Sequence, residues 1–221
     1  SRVIQSINVK GKFMWWSLSG DCYMMCTYGM TGGWTKKSGK HTALTLNLEE
    51  GEIHFNDIRH FGTVKFVEGF QSVQKKLDEL GHDPLSESLT PKILTEKLKI
   101  KKNQSKNICE FLMDQKSVAG VGNYIKAECL WLARLSPHRL CSSLTNDDVD
   151  KLTDAINLVM TKSYSSGGTT IYNFTDPNGH EGNYAQYLVC YKRKVDPLGN
   201  SIVSEETLDK RTTGWCPGIQ I

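Results

Sequence analysis

The strongest constraint on this chain is a helix–turn–helix pattern around two glycines at residues 112–125. The apolar end of one helix runs into Gly-Val-Gly-Asn at residues 120–123, and a second amphipathic helix begins at Asn123. Such a turn exposes backbone amides and points the positive end of the second helix outward, which suits a phosphate group. The pattern therefore predicts a phosphate-binding turn, with DNA as the first candidate ligand.

The chain changes character near residue 82. Before that point it contains short apolar or alternating runs separated by glycines, which predict strands over residues 13–18, 22–27, 43–48, 52–55 and 63–67. Strands of this length and spacing are typical of a β-sandwich or barrel. A short helix over residues 72–80 closes this section, with Gly81 as its expected C-cap.

After residue 82 the pattern is helical. Thr90 and Pro91 form a helix-start signal, and Thr145 with Asp148 forms a capping-box variant. Helices are predicted over residues 90–100, 106–113, 123–135 and 145–164. In the third of these, Asn123 is the expected N-cap, and Ile125, Cys129 and Leu132 share one face.

The C-terminal part returns to β-structure. Residues 170–182 form a polar loop, residues 186–193 and 201–203 predict strands, and residues 210–216 predict the returning strand of a hairpin. The fold class is therefore α+β. We divide the chain into a β-sandwich over residues 1–82, a helical domain over 83–186 and a terminal hairpin over 187–221.

Composition narrows the function less than the motifs do. The 221 residues carry a net charge of +3, which permits nucleic-acid binding without requiring it. The seven cysteines form no regular framework, so we expect reduced, mostly buried thiols in an intracellular protein, with no metal and no cofactor. No apolar run is long enough to span a membrane, and we expect a monomer without membrane association.

Several ordered segments resemble the formamidopyrimidine/endonuclease VIII (Fpg/Nei) DNA glycosylases. The helix-turn-helix matches that family's helix–two-turn–helix through residues 113–116 and 120–124. Further matches lie at residues 28–32, 56–62, 167–170, 184–186, 191–193 and 211–213. Because the matches keep their order over most of the chain, they are more specific than any single motif.

The resemblance implies base-excision repair of double-stranded DNA containing oxidised bases or abasic sites. The damaged base is flipped out of the duplex, an N-terminal proline amine forms a Schiff base with the sugar, and β,δ-elimination cuts the strand. The family begins with Pro-Glu, whereas this chain begins with Ser1 and Arg2. We expect the chain to be a fragment of a normal enzyme. The alternative is a non-catalytic DNA- or lesion-binding module on the same fold.

The resemblance also implies roles for residues of the N-terminal section. Lys12 matches a hairpin lysine beside the catalytic centre, and Lys10 is a weaker candidate. Met30, Arg59 and Phe61 match the three side chains that fill the gap left by the flipped nucleotide. Without the resemblance, Lys12 would be a solvated strand lysine, and Met30 and Phe61 would be core residues. His41 is either a phosphate contact or an ordinary surface histidine.

In the C-terminal part, Lys116, the amide of Gly122 and Asn123 match the family's phosphate contacts, with Asn123 also capping its helix. Arg211 matches the arginine at the tip of the finger, which binds phosphates around the lesion and assists the second elimination. Residues 197–200 and 216–219 retain one of the four cysteines that bind zinc in most relatives, so we expect a zincless finger of the endonuclease VIII-like branch. Trp215 and Ile202 are the expected packing residues.

The lesion loop of the family corresponds to residues 167–183, with Thr169, Thr170 and Tyr184 as candidate contacts. This loop resembles the Fpg type, whereas the finger resembles the Nei type. We therefore expect a broad range of oxidised bases. The expected location is nuclear in a eukaryote and cytoplasmic otherwise.

Overall fold

A computed structural model describes residues 1–170 and 176–221. They form two compact units, one of residues 1–79 and 165–185 and the other of residues 80–164 and 186–221. Within these described ranges, no helix is long and apolar enough to cross a membrane. The division into three domains at residues 82 and 186 stays a prediction.

The first unit contains two antiparallel sheets. The strands are β1 (Ile4–Lys10), β2 (Phe13–Leu18), β3 (Cys22–Thr27), β4 (Gly32–Thr35), β5 (Thr42–Leu48), β6 (Gly51–Asp57) and β7 (Thr63–Glu68). One sheet has the order β1-β2-β3-β7 and the other the order β4-β6-β5. The five predicted strands are all present, and the structure adds β1 and β4. Side chains of β1 are mostly exposed, and β4 is short and glycine-rich, so neither shows a clear apolar alternation.

The core of the first unit lies between the two sheets. Inward positions of β2 and β3 supply Trp16 and Met24, and the opposite sheet supplies Trp34 and Phe55. The ring centroids of Trp16 and Trp34 are 5.3 Å apart, and those of Trp34 and Phe55 are 5.2 Å apart. Tilted aromatic contacts at this spacing add to the stabilisation from burial. The expected β-sandwich is thus confirmed.

The helix after the sandwich is α1 (Gln71–Glu79), as predicted. The expected C-cap role of Gly81 is wrong, because this glycine does not have the positive φ of such caps. Its N–H donates instead to the carbonyl of Gln115 at 2.8 Å. A Cβ at Gly81 would lie 2.4 Å from the carbonyl oxygen of Ser117, so close backbone approach explains the glycine.

The second unit is built on α2 (Pro91–Lys99), α3 (Lys101–Gln104), α4 (Ile108–Met113), α5 (Asn123–Leu132) and α6 (Asn146–Ser165). The predicted N-caps are confirmed at two helices. Thr90 accepts the N–H of Ile93, and Thr145 and Asp148 exchange side-chain-to-backbone hydrogen bonds. The predicted helix over residues 106–113 starts two residues later, because Asn107 caps it.

Two expectations for α5 are wrong. Gly122, with an extended backbone, is the N-cap, and Asn123 is the first helical residue and does not cap. The helix ends at Leu132, which is exposed, while Arg134 adopts a left-handed conformation with φ 59°. Leu132 therefore does not share the buried face of Ile125 and Cys129. Sequence periodicity does not resolve such end effects, since the last turn of a helix frays or tightens.

The C-terminal hairpin consists of β8 (Val203–Glu206) and β9 (Thr212–Trp215), as predicted. The strand predicted over residues 186–193 is wrong. A short 3₁₀ helix, Tyr184–Tyr187, is followed by turns. The amides of Val189, Cys190 and Tyr191 all donate to the carboxylate of Glu128, at 2.7–2.9 Å. Successive strand amides point in opposite directions, so three of them cannot converge on one carboxylate.

Candidate nucleic-acid interface

Three exposed side chains of the first unit meet on two neighbouring loops, and we call Met30, Arg59 and Phe61 the wedge cluster. Met30 and Phe61 are 55% and 57% exposed. The Nη1 of Arg59 donates to the Sδ of Met30 at 3.3 Å, and the Cζ of Arg59 lies 4.9 Å from the centroid of the Phe61 ring. The sequence alone places these residues 29 and 2 positions apart, and the fold brings them into contact. Apolar groups flanking a guanidinium can enter a base stack while the guanidinium hydrogen-bonds a base edge.

A buried carboxylate, Asp57, organises the loop that carries Arg59 and Phe61. It accepts hydrogen bonds from the hydroxyl of Thr31, from the N–H of Gly62 at 2.6 Å and from the N–H of Arg59 at 3.2 Å. Burial acts to raise the pKa of Asp57, but these hydrogen bonds and the charge of His60 outweigh it, so its pKa lies below the usual value. This role of Asp57 was not predicted from the sequence, because its partners are mostly backbone groups.

The same loops require a glycine at position 29. Gly29 has φ 59°, and a Cβ there would lie 2.8 Å from the carbonyl carbon of Phe61. A larger residue would separate the loop of Met30 from the loop of Phe61. The glycine therefore holds the wedge cluster together as well as forming a turn.

Lys12 lies on the two-residue turn between β1 and β2, where Lys10 pairs with Phe13. Gly11 takes φ 56° at the first turn position, which suits a tight hairpin. The side chain of Lys12 is exposed, whereas the Nζ of Lys10 donates to the carbonyl of Leu77 at 3.3 Å. Of the two lysines, Lys12 is therefore the one presented on an exposed turn.

His41 and His60 of the first unit differ in their setting. His41 is half-buried, and its carbonyl accepts the N–H of Asp57 at 2.9 Å, so its backbone is part of the sheet edge. His60 lies between Arg59 and Phe61 and has a left-handed backbone, φ 54°. The sequence assigned no role to His60, and in the structure its charge lowers the pKa of Asp57.

In the second unit, Gln115 braces the turn between α4 and α5. Its Oε1 accepts the N–H of Gly120 at 2.9 Å, and its Nε2 donates to the carbonyl of Val121 at 2.9 Å. Gly120 has φ 92°, a conformation that favours glycine. Gln115 was not identified from the sequence, and no spacing signal would have identified it.

Lys116 sits at the outer edge of this turn with an exposed side chain. Its N–H donates to the Oδ1 of Asp114 at 3.0 Å, and the Oδ2 of Asp114 accepts from the Nζ of Lys106 at 2.8 Å. Although burial raises the pKa of Asp114, Lys106 and the amide of Lys116 lower it below the usual value. A charged Asp114 thus fixes the backbone of Lys116 while the ammonium group extends outward.

Asn123 has a different partner from the one expected. Its Nδ2 donates to the carbonyl of Thr212 at 2.9 Å, which links the first residue of α5 to β9. The first N–H groups of any α-helix have no acceptor within the helix. The start of α5, beginning at Gly122, is therefore a site with several backbone donors next to the exposed Lys116.

Arg211 occupies the connection between β8 and β9 and is exposed. The N–H of Lys210 donates to the carbonyl of Thr207 at 2.8 Å, and the N–H of Thr207 donates to the carbonyl of Arg211 at 3.0 Å. Lys210 takes φ 59°. This pattern, a turn followed by a left-handed residue, is a common hairpin connection. Arg211 closes the connection opposite Thr207, and we call residues 207–211 the tip of the hairpin.

The hairpin packs on α5 through a small apolar cluster of Trp131, Cys190 and Cys216, with Ile202 at its margin. Ile202 therefore packs as expected. Trp215 instead lies edge-on to His138, with centroids 5.1 Å apart, and its Nε1 donates to Glu205. Glu128, buried against residues 189–191, has a raised pKa because burial outweighs its three amide donors.

The residues of this hairpin do not suit a zinc ion. Cys216 is a buried thiol, and the carboxylate of Asp196 is already bound by Trp131 and Asn200. Throughout residues 1–170 and 176–221, no group of three His, Cys, Asp or Glu side chains is arranged to hold a metal. A tetrahedral zinc site needs four such ligands.

The base of the predicted lesion loop is well ordered by hydrogen bonds. The hydroxyl of Thr170 accepts the N–H of Gly182 at 2.8 Å, and the N–H of Tyr184 donates to the carbonyl of Gly168 at 2.9 Å. Tyr184 is buried, and the hydroxyl of Thr169 is buried without a hydrogen-bond partner among the described residues. Residues 171–175 of this loop lie outside the described residues.

A wedge cluster on a β-sandwich and a braced phosphate-type turn on a helical unit are features of a DNA glycosylase of the helix–two-turn–helix class. Two family models match the sequence. The formamidopyrimidine-DNA glycosylase N-terminal domain matches residues 1–64, and the formamidopyrimidine-DNA glycosylase H2TH domain matches residues 80–175. The chain belongs to the formamidopyrimidine-DNA glycosylase family.

Individual relatives agree with the family models. Formamidopyrimidine-DNA glycosylase of Desulfitobacterium hafniense is 33% identical over 98% of this chain and 81% of the relative. That of Rickettsia felis is 33% identical over 98% of this chain and 80% of the relative. Among solved structures, the MutM (Fpg) protein from Thermus thermophilus superposes with a TM-score of 0.90 at 30% identity, covering 99% of this chain and 83% of that one.

A second solved structure is the complex between Lactococcus lactis Fpg and DNA containing an abasic site. It has a TM-score of 0.89 at 27% identity, covering 99% of this chain and 82% of that one. These matches confirm the expected family and the α+β fold class. They do not separate an endonuclease VIII-like subtype from the rest of the family.

Proposed function

We propose that this protein is a base-excision-repair DNA glycosylase with lyase activity on oxidised bases in double-stranded DNA. The observation that carries the proposal is the wedge cluster, in which Arg59 contacts both Met30 and Phe61 on exposed loops. An enzyme that acts on a base must take it out of the stack and compensate for the space it leaves. Met30 and Phe61 fill that space, and Arg59 hydrogen-bonds the orphaned base.

The family resemblance implies the chemistry that takes place on the flipped nucleotide. A proline amine attacks the sugar C1′, and the C1′–N bond to the base breaks. The C1′–O4′ bond of the sugar ring then opens, O4′ takes up a proton, and C1′ and the amine form an iminium. Loss of a sugar proton then expels the 3′ phosphate, and a second elimination expels the 5′ phosphate. Lys12 neutralises a phosphate beside the reacting sugar, and Arg211 stabilises the phosphate that leaves in the second elimination.

Contacts with DNA phosphates hold the duplex during these steps. Lys116, the amide of Gly122 and Asn123 bind phosphates at the start of α5, and His41 contributes a further phosphate contact. Helix N-termini bind phosphates because their amides and dipole both favour negative charge. Thr169, Thr170 and Tyr184, at the base of the lesion loop, support the segment that covers the flipped base.

The finger and the loop also bear on the family branch and on the substrates of the protein. The hairpin donor set suits a zincless finger of the endonuclease VIII-like branch, while the loop sequence is Fpg-like, so we propose a broad range of oxidised bases. The protein acts as a monomer on one damaged site. A DNA-repair activity places it inside the cell with its substrate, nuclear in a eukaryote and cytoplasmic otherwise.

Borohydride trapping tests this function directly. The full-length protein is incubated with a duplex carrying one oxidised base or abasic site, in the presence of borohydride, which reduces an iminium to a stable covalent adduct. We expect an adduct with the damaged duplex and none with the undamaged one. The Lys75→Ala variant, at an exposed position of α1, should trap equally well. Tight binding to damaged DNA without any adduct would favour the non-catalytic binding module.

A further inference from the structure

Two side chains of one face of α5 reach the connection that carries Arg211. The Nδ2 of Asn123 donates to the carbonyl of Thr212 at 2.9 Å, and the Nζ of Lys126 donates to the Oδ2 of Asp209 at 2.6 Å. Residues three apart on a helix are neighbours, so these contacts lie side by side. They hold the chain on both sides of Arg211.

The ion pair of Lys126 and Asp209 is fully withdrawn from water. Its side chains are 0% and 4% exposed, respectively. Two charges lose their hydration on burial and are tolerated only when they pair closely and their remaining valences are satisfied. Such a pair is sensitive to geometry, so it fixes the position of both residues.

Asp209 is also bound from within the hairpin. Its Oδ1 accepts the hydroxyl of Thr207, and that hydroxyl lies 2.7 Å from the hydroxyl of Thr213. Thr207 and Thr213 are themselves buried. The carboxylate therefore connects the two strands of the hairpin to each other and both of them to α5.

We infer that Lys126 is a positioning residue, whose ion pair with Asp209 makes the tip of the β8–β9 hairpin a rigid extension of the first turns of α5. The ion pair thus fixes the tip of a hairpin whose side chains do not suit a zinc ion. Because α5 also begins at the phosphate-binding turn, Arg211 is held at a constant distance from Gly122 and Lys116. This inference rests on the proposed function only where it concerns the contact of Arg211 with DNA.

The test compares single and paired substitutions. Lys126→Met or Asp209→Leu alone leaves one buried charge without its partner and should lower Tm by at least about 6 °C. The double variant K126M/D209L removes both charges and should restore Tm to within about 3 °C of the parent, since apolar pairs can replace buried ion pairs. Lys151→Met is the matched control. Its ion pair with Asp147 has the same 2.6 Å length but is exposed.

Trypsin cleavage measures the rigidity of the tip without DNA. Lys210 and Arg211 are both trypsin sites at the hairpin connection. We expect cleavage there to be about tenfold faster in K126M/D209L than in the parent, because a tip that opens more often is cut more often. Lys151→Met should leave the cleavage rate unchanged. An unchanged rate at the tip in the double variant would overturn the inference.

A double-mutant cycle with Arg211→Ala tests the effect on DNA binding. We expect R211A to weaken binding of the parent to a duplex with an abasic-site analogue about tenfold, and that of K126M/D209L less than about twofold. Equal losses in both backgrounds would show that the pair does not position Arg211. If R211A has no effect in the parent, the proposed phosphate role of Arg211 fails, and the cleavage rate alone decides whether the ion pair holds the tip.

Discussion

At the scale of single residues, buried polar groups decide whether the exposed ones are presented correctly. Asp57 is not one of the residues predicted to contact DNA. It receives hydrogen bonds from Thr31, Arg59 and Gly62, which lie on the loops that carry the wedge cluster. Its lowered pKa shows that these donors favour the ionised form. The wedge cluster therefore depends on a carboxylate behind it.

Asp57→Asn should destabilise the protein in a pH-dependent way. A carboxyl whose pKa is lower when folded stabilises the protein above its unfolded pKa, near 4, and loses that contribution as pH falls through the folded pKa. We expect the free energy of unfolding to fall by about 2 kcal/mol at pH 7, because hydrogen bonds to a charged group are lost. Urea unfolding at pH 7 and at pH 3 measures the difference, which should shrink at the lower pH. A pH-independent difference would contradict the role of the charge, and Asp154→Asn on the exposed face of α6 is the control.

Arg59→Ala should separate damaged-site binding from general binding. In the proposed function Arg59 acts only once a base has left the stack. Its loss should therefore weaken binding to a duplex with an abasic-site analogue about tenfold, a typical value for one good base contact. Binding to the undamaged duplex should stay within about twofold. Fluorescence anisotropy with both duplexes measures the ratio, with Lys75→Ala as control. Equal weakening on the two duplexes would mean that Arg59 contacts phosphate.

Side chains that face outward were easier to predict than those that support them. Met30, Arg59 and Phe61 stand in segments whose order resembles a known family. Asp57, Gln115 and Lys126 bind backbone groups or residues far along the chain, and no spacing rule connects Lys126 with Asp209, 83 positions later. Charged residues at 126 and 128 within an otherwise apolar helix were the available signal that a buried polar contact lay there.

At the scale of elements, the turn between α4 and α5 is rigid because a side chain bonds its backbone at two points. Gln115 satisfies Gly120 and Val121, and its own carbonyl accepts the N–H of Gly81. The sequence correctly predicted a glycine turn between two helices. It could not predict the brace, since glutamine occurs in loops for many reasons.

Gln115→Ala should loosen this turn. Three hydrogen bonds of this side chain to partly buried backbone groups of Met113, Gly120 and Val121 are lost. We therefore expect the free energy of unfolding to fall by about 1–3 kcal/mol. Binding should weaken by similar factors on damaged and undamaged duplexes, because phosphate contacts carry no lesion information. Thermal unfolding and anisotropy measure the two effects. Gln104→Ala, at an exposed position of α3, is the matched control. A loss confined to damaged DNA would contradict the role given to the turn.

The differences between predicted and observed strands show where sequence periodicity no longer predicts the structure. The strands with inward apolar positions, such as β2 and β3, were predicted closely, whereas β1 has few buried positions and was missed. Residues 186–193 looked like a strand because of their apolar and aromatic content. Glu128 draws three of their amides to one point, a tertiary contact that outweighs local β-propensity.

At the scale of the whole molecule, a net charge of +3 gives little general attraction to DNA. On the proposed function, we therefore expect binding to come from a few placed cations on each unit, such as Lys12 in the first and Lys116 and Arg211 in the second. This arrangement allows the affinity to be divided among individual phosphate contacts.

Lys116→Ala should reduce the salt dependence of binding by about one phosphate contact. The slope of log K against log salt is about −0.9 for each neutralised phosphate of duplex DNA, so the slope should become less steep by about 0.9. The change should be the same on damaged and undamaged duplexes. A titration from low to moderate salt measures it, and Lys75→Ala should keep the parent slope. An unchanged slope for Lys116→Ala would remove this lysine from the phosphate contacts.

The placement of the cysteines bears on the conditions in which such a protein works. All seven thiols are buried, and burial raises the pKa of Cys26, Cys109 and Cys141 to about 11 and that of Cys190 to about 12. Peroxides attack the thiolate form of accessible cysteines, and the same oxidants damage DNA bases. Shielded, protonated thiols give an oxidant little to react with. The cysteines of this protein are thus protected from the oxidants that damage DNA bases.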